Sequence, residues 1–528
     1  MGSCMIATVQ TGSLSGVEAV GVAVEVSQAR GLPGFDIVGL PEAALRESRV
    51  RVLAALSNSG YQLPDRHFVV NLAPADLRKS GASFDLAIAV ALLAACDMCS
   101  PSALADTLIL GELSLAGHVR STRGVLAQLR SARTRGLGRA IVPADDAAWA
   151  GLVGNIQTLT ASHLTEVVGW LDGTARLETA GAGGESAALR GEHSAASVSS
   201  GGDLRDVCGQ NAAKRALEVA AAGGHDLLMV GPPGAGKTML ASRLPGLLPA
   251  PTAEEALEIA TIASAAGLTR VPSEGFVRPF RAPHHSCSEV ALVGGGHPIR
   301  PGEVTLAHGG VLFLDELPEF RRNAIEALRP TMESGVAVIV RARQRVSMPA
   351  RPLLVAAMNP CPCGYSGDSK RICRCSLEQS QRYRARVSGP VVDRFDMHVQ
   401  LPPVRADALQ RSGTEGDTSA SVRARVAEAR ARVAERQRHA GLTRVAQPSL
   451  TADLEDNARR LLVRSIDALG LSLRAYAKVL KVARTIAHLA GSDPITARHV
   501  GEAIQYRLLD RDPSARAFSS VRAAGTGD

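Results

Sequence analysis

The sequence predicts an α/β protein that ends in an all-helical part, and three observations predict it. Residues 227–238 read Leu-Leu-Met-Val-Gly-Pro-Pro-Gly-Ala-Gly-Lys-Thr, which is a buried strand, a glycine-rich turn and then a helix-forming run from Met239 to Leu244. Two more apolar runs, residues 310–314 and 353–358, end in polar side chains at Asp315, Glu316 and Asn359. Residues 450–510 place Leu473, Tyr476, Leu480, Ala483, Ala487 and Ala490 at helical spacing, with Arg474, Lys478 and Lys481 on the other side.

In chain order, residues 1–175 read as one α+β domain. Strands are expected over residues 19–26 and 68–72, and short ones over 108–110 and 140–142. Residues 41–58 have helical spacing, with Ala44, Leu45, Val50, Leu53, Ala54 and Leu56 apolar. Residues 84–95 are a buried helix or a buried strand, between which periodicity does not decide. Residues 176–202 are rich in Gly, Ala and Ser without apolar periodicity, so they read as a flexible linker.

The next domain spans residues 203–402, with residues 211–222 as a helix leading into the strand at 227. Gly231-Pro232-Pro233-Gly234-Ala235-Gly236-Lys237-Thr238 has the spacing of a P-loop, in the strand–turn–helix context that such a loop needs. Its backbone N–H groups can curl around phosphates at a helix N-terminus, Lys237 can reach the β- and γ-phosphates of ATP, and the Thr238 hydroxyl can ligate Mg²⁺. Asp315 and Glu316 form a Walker B pattern, in which Asp315 holds the magnesium water shell and Glu316 polarises the attacking water. Asn359 is placed to orient that water, or else caps the turn before Pro360. Such a loop lacks a cation on the far side of the γ-phosphate. Arg394, supplied by a neighbouring subunit, is the expected finger, the alternative being an ion pair with Asp393 or Asp396. Residues 403–449 read as a charged, solvent-exposed helical segment, residues 450–510 as a helical lid whose Arg474 reaches down to ATP, and residues 511–528 as a disordered tail.

Cys361, Cys363, Cys373 and Cys375 form two Cys-x-Cys pairs within the insertion 361–375. They can supply a closed, structural Cys₄ zinc site, or stand as four reduced thiols in a loop. Cys4, Cys96, Cys99, Cys208 and Cys287 have no partner spacing. His284 and His285 are adjacent and are expected to point apart on a strand.

Composition narrows the partners. The formal net charge is +8 and aromatic residues make up 3%, which favours a polyanion held through its phosphates over one held by base stacking. No apolar run is long enough to span a membrane, and no signal peptide is seen at the N-terminus, so the expected location is cytoplasmic, with no membrane partner and no structural disulfides.

Gly111-Glu-x-x-Leu-x-Gly-x-Val119, Arg123-Gly124 and Ile141-Val-Pro143 resemble the protease domain of Lon and the related domain of the RadA recombination protein, a ribosomal S5 domain 2-like fold. Ser83 falls near the place of the Lon family's serine. The segment that would carry the lysine, residues 124–130, has none, so no proteolytic substrate is expected and the domain reads as a binding or assembly module. Ser83 is then a helix-cap or turn hydroxyl.

The P-loop, Glu316, Asn359, Arg394 and Arg474 stand in the order of an AAA+ ATPase. The text from Arg278 through His285 to Gly296 resembles the magnesium chelatase-like branch. With the Lon-like part and the cysteines, the chain is similar to the ComM/YifB family. The resemblance implies a hexameric ring ATPase and a DNA helicase that drives branch migration in natural transformation. The alternative is a chelatase-like motor for metal insertion or protein remodelling. In such a ring, strands over 335–340 and 345–348 would make a hairpin whose Arg341, Arg343 and Arg345 track DNA phosphates, or a plain edge hairpin guarded by charge.

Overall fold

The computed structural model describes residues 6–29, 32–39, 43–75, 79, 83–180, 202–268, 277–341, 344–366, 371–404, 416–439 and 453–507. The expected tail 511–528, most of the linker, Cys4 and Arg343 lie outside these residues.

The first part is built on an eight-stranded mixed sheet. Its order is Glu178–Thr179, Gln157–Ala161, Arg139–Pro143, Thr107–Ile109, Ile6–Ser15, Glu18–Ala29, His67–Ala73 and Gly34–Val38. The helix Asp85–Ala95 is buried along its whole length, which resolves the ambiguity of residues 84–95 in favour of helix. An all-round apolar helix is stable only inside a core, and this one packs with Val9, Val24, Val70 and Leu164. Phe84 stands at its N-cap and no side chain caps it. The Ser83 carbonyl accepts from Gly111 N, so Ser83 belongs to a turn and not to a cap. Leu56 is buried as expected on the apolar stripe of Ala43–Asn58, but Val50 is 67% exposed, and Val52 and Ala55 are buried in its stead. Glu178 and Thr179 pair with Thr160 and Leu159, so an edge strand lies inside the stretch expected to be linker.

The second sheet has five strands, all parallel, in the order Phe280–Arg281, Val311–Leu314, Leu353–Met358, Leu227–Val230, Met397–Gln400. Strands covered on both faces are apolar throughout, and Val311–Leu314 and Leu353–Met358 are buried at every position. The helix Lys237–Leu247 follows the P-loop strand directly.

The two sheets belong to one packed body. The helix Val125–Thr134 lies against Ala253–Ala266, with Ala260 in one core with Val125, Leu126 and Leu129. Gly124 N donates to Ser264 O (3.0 Å), and Arg130 Nη1 to Thr261 Oγ1 (3.3 Å). The turn between the first two strands reaches the other sheet's side, where Val17 is buried with Leu312, Ile339 and Met348.

The helix Ser419–His439 corrects an expectation. It is not a plain solvent-exposed helix, because Val422, Val426 and Ala429 are buried in the core of the P-loop sheet. Several of its arginines are tied to other parts of the chain: Arg425 to Glu218 (2.5 Å) and Asp417 (2.6 Å), Arg430 to Ala221 O (2.6 Å), and Arg432 to His488 O (2.6 Å). Among the described residues three more helices follow, Asp456–Leu469, Leu473–Leu489 and Ala497–Gln505. On the second, Leu480, Ala483 and Ala487 are buried as expected, but Leu473 is 88% exposed. Lys478, expected on the polar side, turns inward to the carbonyls of Asp393, Arg394 (2.7 Å) and Phe395 (3.1 Å).

Burial gives a pH signature. His398 lies on the strand beside the P-loop strand, and burial, with the nearby Arg507 cation, brings its pKa from 6.5 down to about 3; burial likewise brings His488 to about 4. The folded values lie below the unfolded ones. Their contribution is therefore complete above pH 6.5 and is lost as the pH falls toward the folded values. The thermal midpoint should fall between pH 6.5 and 4, and His398→Leu should make that fall shallower. An identical slope in the variant would show that His398 does not carry the effect.

Candidate functional site

The P-loop leaves the C-terminal end of Leu227–Val230, between the ends of two parallel neighbours. The loop closes through Gly234 (φ 75°) and Gly236 (φ 87°), left-handed positions that favour glycine. Lys237 Nζ donates to the carbonyls of Gly231 (2.7 Å) and Pro232 (3.0 Å) and to Asn359 Oδ1 (2.9 Å). Desolvation lowers the Lys237 pKa, against the opposing pull of Asp315 and Glu316. Thr238 Oγ1 donates to Asp315 Oδ2 (2.6 Å), and Glu316 N donates to Asp315 Oδ1 (2.9 Å). One cluster thus gathers residues 231–238, Asp315, Glu316 and Asn359, whose Asn359 touches the P-loop lysine itself.

Three features of this cluster were not read from the sequence. Glu316 has φ 53° and ψ 47°, a left-handed conformation that a non-glycine residue adopts only under external constraint. His285 Nδ1 lies 3.3 Å from Glu316 Oε2. Against expectation, His284 and His285 are not on a strand: they follow Phe280–Arg281 in a turn, their ring centroids 4.1 Å apart. Finally, Gln210, also left-handed (φ 56°), ties the P-loop to the end of the last strand, donating from Nε2 to Ala235 O (3.2 Å) and Pro402 O (2.7 Å). The Pro283-His284-His285 text was the one available signal for the first histidine contact; nothing local marked Gln210.

Arg394 and Arg474 are elsewhere. Leu227 pairs with Met397 and Val230 with Gln400, so residues 393–396 sit at the N-terminal ends of these strands, opposite the P-loop. Four residues of strand separate the two ends, about 13 Å. The Arg394 guanidinium binds Met332 O and lies 4.0 Å from Asp226; its partner is neither Asp393 nor Asp396. Arg474 is largely exposed, with Asp393 Oδ2 4.0 Å away. It does not reach down to the P-loop of its own chain, because the helix that carries it is anchored at the other strand ends. That anchor is a dense charge cluster. Arg507, buried, donates from Nη1 to Phe395 O (2.8 Å), and Lys478 and Lys481 each lie 3.6 Å from Asp396. Burial drives the Asp226 pKa up to about 7, helped by the neighbouring Asp396, while His225, Lys481 and Lys478 hold Asp396 well below the usual carboxylate range.

The hairpin forms as Val336–Arg341 against Gln344–Pro349, with Arg341 opposite Gln344 and Val340 opposite Arg345. Arg341 and Arg345 are exposed. One face of the hairpin is occupied: Gln344 Nε2 donates to Ser15 Oγ (3.2 Å), and Val346 and Met348 are buried in the core that also takes Val17. By the register Arg341 lies on that face, at its open end, and Arg345 on the opposite one.

The four cysteines converge. Cys361, Cys363 and Cys373 have sulfurs 3.4–3.6 Å apart, and Cys375 Sγ accepts from Cys363 N (3.4 Å). All four ligand atoms lie within 4.8 Å of one another. Four sulfurs about 2.3 Å from one zinc ion would form a tetrahedron with edges of about 3.8 Å, so the set fits. Backbone N–H groups of Tyr365 and Arg374 bring the Cys363 thiol down to about 6. No helix among the described residues is long and apolar enough to cross a membrane.

Comparison with known proteins adds three family matches. The description "Magnesium chelatase, subunit ChlI" fits residues 203–409, "Subunit ChlI of Mg-chelatase" residues 24–146, and the ChlI C-terminal description residues 416–507. The chain is 44% identical over 510 residues to the uncharacterized protein YifB of Salmonella typhimurium, and 44% identical over 509 residues to YifB of Escherichia coli. It is 43% identical over 513 residues to the competence protein ComM of Haemophilus influenzae. Each alignment covers 96% of this chain and 98% of the relative. On this nearly full-length similarity, the chain belongs to the ComM/YifB family of magnesium chelatase-like proteins.

Proposed function

We propose that this protein is an ATP-dependent, ring-forming AAA+ motor that moves DNA junctions. The observation that carries the reading is the split of one hydrolysis apparatus between two ends of one sheet. Residues 231–238, Asp315, Glu316 and Asn359 gather at the C-terminal strand ends, while Arg394 and Arg474 sit at the N-terminal ends and cannot serve the same nucleotide. Arranged head to tail, each copy offers the two arginines to its neighbour's γ-phosphate, and repetition of such a contact closes into a ring. Six copies is the number that the family resemblance suggests.

Family membership implies ATP and Mg²⁺. The adjacent oxygens of Thr238 and Asp315 suit a hard cation that keeps most of its waters, and when bound the cation screens the phosphate charge. Lys237 exchanges its loop carbonyls for phosphate oxygens. Glu316 accepts a proton from the attacking water, which Asn359 orients. The His285 contact holds one Glu316 oxygen while the subunit rests. The division we favour is a Lon-like module without a catalytic dyad (1–175), an AAA+ core (203–402) and a helical lid (450–510). The thiols Cys361, Cys363, Cys373 and Cys375 hold a structural zinc ion.

DNA as the polymer rests on the net positive charge, on the exposed Arg341 and Arg345 (with Arg343 beside them in sequence), and on the competence name of one relative. Exposed arginines of both hairpin strands suit phosphates along a pore. Branch migration in the uptake of DNA is the specific role we assign.

The direct test is ATP hydrolysis measured with and without a four-way DNA junction, with strand exchange followed in the same samples. Stimulation with junction movement, both lost in Lys237→Ala, is expected; hydrolysis indifferent to every DNA form would point to a chelatase-like or protein-remodelling motor instead. Replacing Arg341 and Arg343 by Ala should weaken DNA binding and reduce the slope of log K against log salt by roughly one per lost phosphate contact. An unchanged slope would remove the hairpin from the DNA path.

Glu316→Gln should bind ATP yet slow turnover by about 10²-fold or more, and Arg394→Ala should slow it by about 10³-fold without loss of nucleotide binding. Mixed together, the two inactive variants should regain activity at interfaces that join an intact Arg394 to an intact Glu316. No recovery on mixing would show that Arg394 does not act on a neighbour.

A further inference from the structure

The four-thiol cluster adjoins the nucleotide loop through the turn at Gly364. Asn359, the acceptor for Lys237, lies two residues before Cys361. The turn after Cys361 closes on itself, Gly364 N donating to Cys361 O (2.9 Å), and it comes down on Pro233 of the P-loop. The approach is close enough that a Cβ at Gly364 would lie 2.8 Å from Pro233 Cγ and nearer still to Cδ. Gly364 also has φ 84°, so both its backbone and its surroundings demand glycine. Pro360 and Ser366, on either side of this turn, line a cavity of about 250 Å³ with Gly231, Pro232, Leu401 and Pro402. Cys361 is fully buried at the root of the turn. Cys373 and Cys375 approach from the other arm of the insertion, immediately before the helix Leu377–Arg384, whose Arg384 Nε donates to Pro360 O (3.1 Å).

We propose that a thiophilic divalent cation, zinc by its ligand chemistry, bound by Cys361, Cys363, Cys373 and Cys375, holds the Gly364 turn against Pro233 and so sets the affinity of the P-loop for ATP. The proposal rests on the reading of these thiols as a metal site and adds a regulatory consequence to it. The physical reason is that metal–thiolate bonds are what tie the two arms together. Three sulfurs at 3.4–3.6 Å contacts, with a fourth within 4.8 Å, gain little from one another as thiols and repel as thiolates, whereas a cation makes such a spacing favourable. With the arms joined, Pro233 has a rigid wall behind it and Asn359 is fixed opposite Lys237. With the arms free, the turn leaves Pro233, and the loop must be ordered by the nucleotide itself.

The experiment uses the full-length protein. Zinc is counted by release to a chromogenic indicator, and affinity for a fluorescent ATP analogue with Mg²⁺ is titrated for the metal-loaded, chelator-stripped and zinc-restored protein. One zinc ion per chain is expected, with affinity weakened by about tenfold on stripping, within the range of ordinary site-to-site coupling, and recovered on restoring zinc. Gly364→Ala should keep its zinc and still bind the analogue more weakly, whereas Gly154→Ala, with open space around it, should match the parent. A protein that holds one zinc ion and binds the analogue equally well without it overturns the coupling and leaves the metal site standing. A protein that takes up no zinc overturns both. Parent-like affinity in Gly364→Ala overturns the contact with Pro233 as the route.

Discussion

Parallel pairing of Leu227–Val230 with Leu353–Met358 on one side and Met397–Gln400 on the other fixes what stands at the two ends of the P-loop sheet at once. In a parallel sheet all C-terminal strand ends lie along one edge. That edge receives the P-loop, Asp315, Glu316 and Asn359 from segments that are up to 128 residues apart, as the Asp226–Leu354 bond across the same pair of strands illustrates. The opposite edge receives Asp226, Asp393, Arg394 and Asp396, with Arg474, Lys478 and Arg507 added from the C-terminal helices. The separation of the two functions is therefore a property of strand direction.

Each edge is held by charge placed where water is scarce. At the P-loop edge Lys237 has three oxygen partners, and its lowered pKa reflects desolvation that any bound phosphate would repay. At the other edge Lys478 and Arg507 bind the carbonyls of residues 393–395, which have no further strand to pair with. Removing one partner from such a cluster leaves a buried charge unpaired, which is far more damaging than losing a surface pair. The C-terminal helices are thus tied directly to the segment that carries Arg394.

The N-terminal part also packs against the part that carries the P-loop. Its helix Val125–Thr134 packs on Ala253–Ala266, and its first turn supports the underside of the arginine hairpin through Val17 and Ser15. The hairpin is consequently held on one face, with Arg345 on the opposite face and Arg341 exposed at the open end of the held one.

Local chemistry made much of this legible. The P-loop glycines, the carboxylates ending an apolar strand and the paired cysteines each have a physical reason that acts within a few residues. The strands around them could be placed to within a residue or two because continuous apolar runs bounded by turns have few other solutions. What depends on distant neighbours could not be read in this way. Residues 84–95 became a helix because a core closes around every side of it, and Val50 and Leu473 left their expected apolar faces because packing, not spacing alone, chose the buried stripe. The exposed helical segment expected over 403–449 acquired, in Ser419–His439, a buried face against helices that its own sequence does not specify. The direction of Arg394 and Arg474 away from their own nucleotide, the His285–Glu316 contact and the seat of Gly364 on Pro233 all join segments far apart in the chain. The sequence by itself determined which groups can bind phosphate, metal and water, since that is a matter of residue type and short spacing. Only the tertiary structure decided which of them share a site, because strand order and direction are settled by long-range packing.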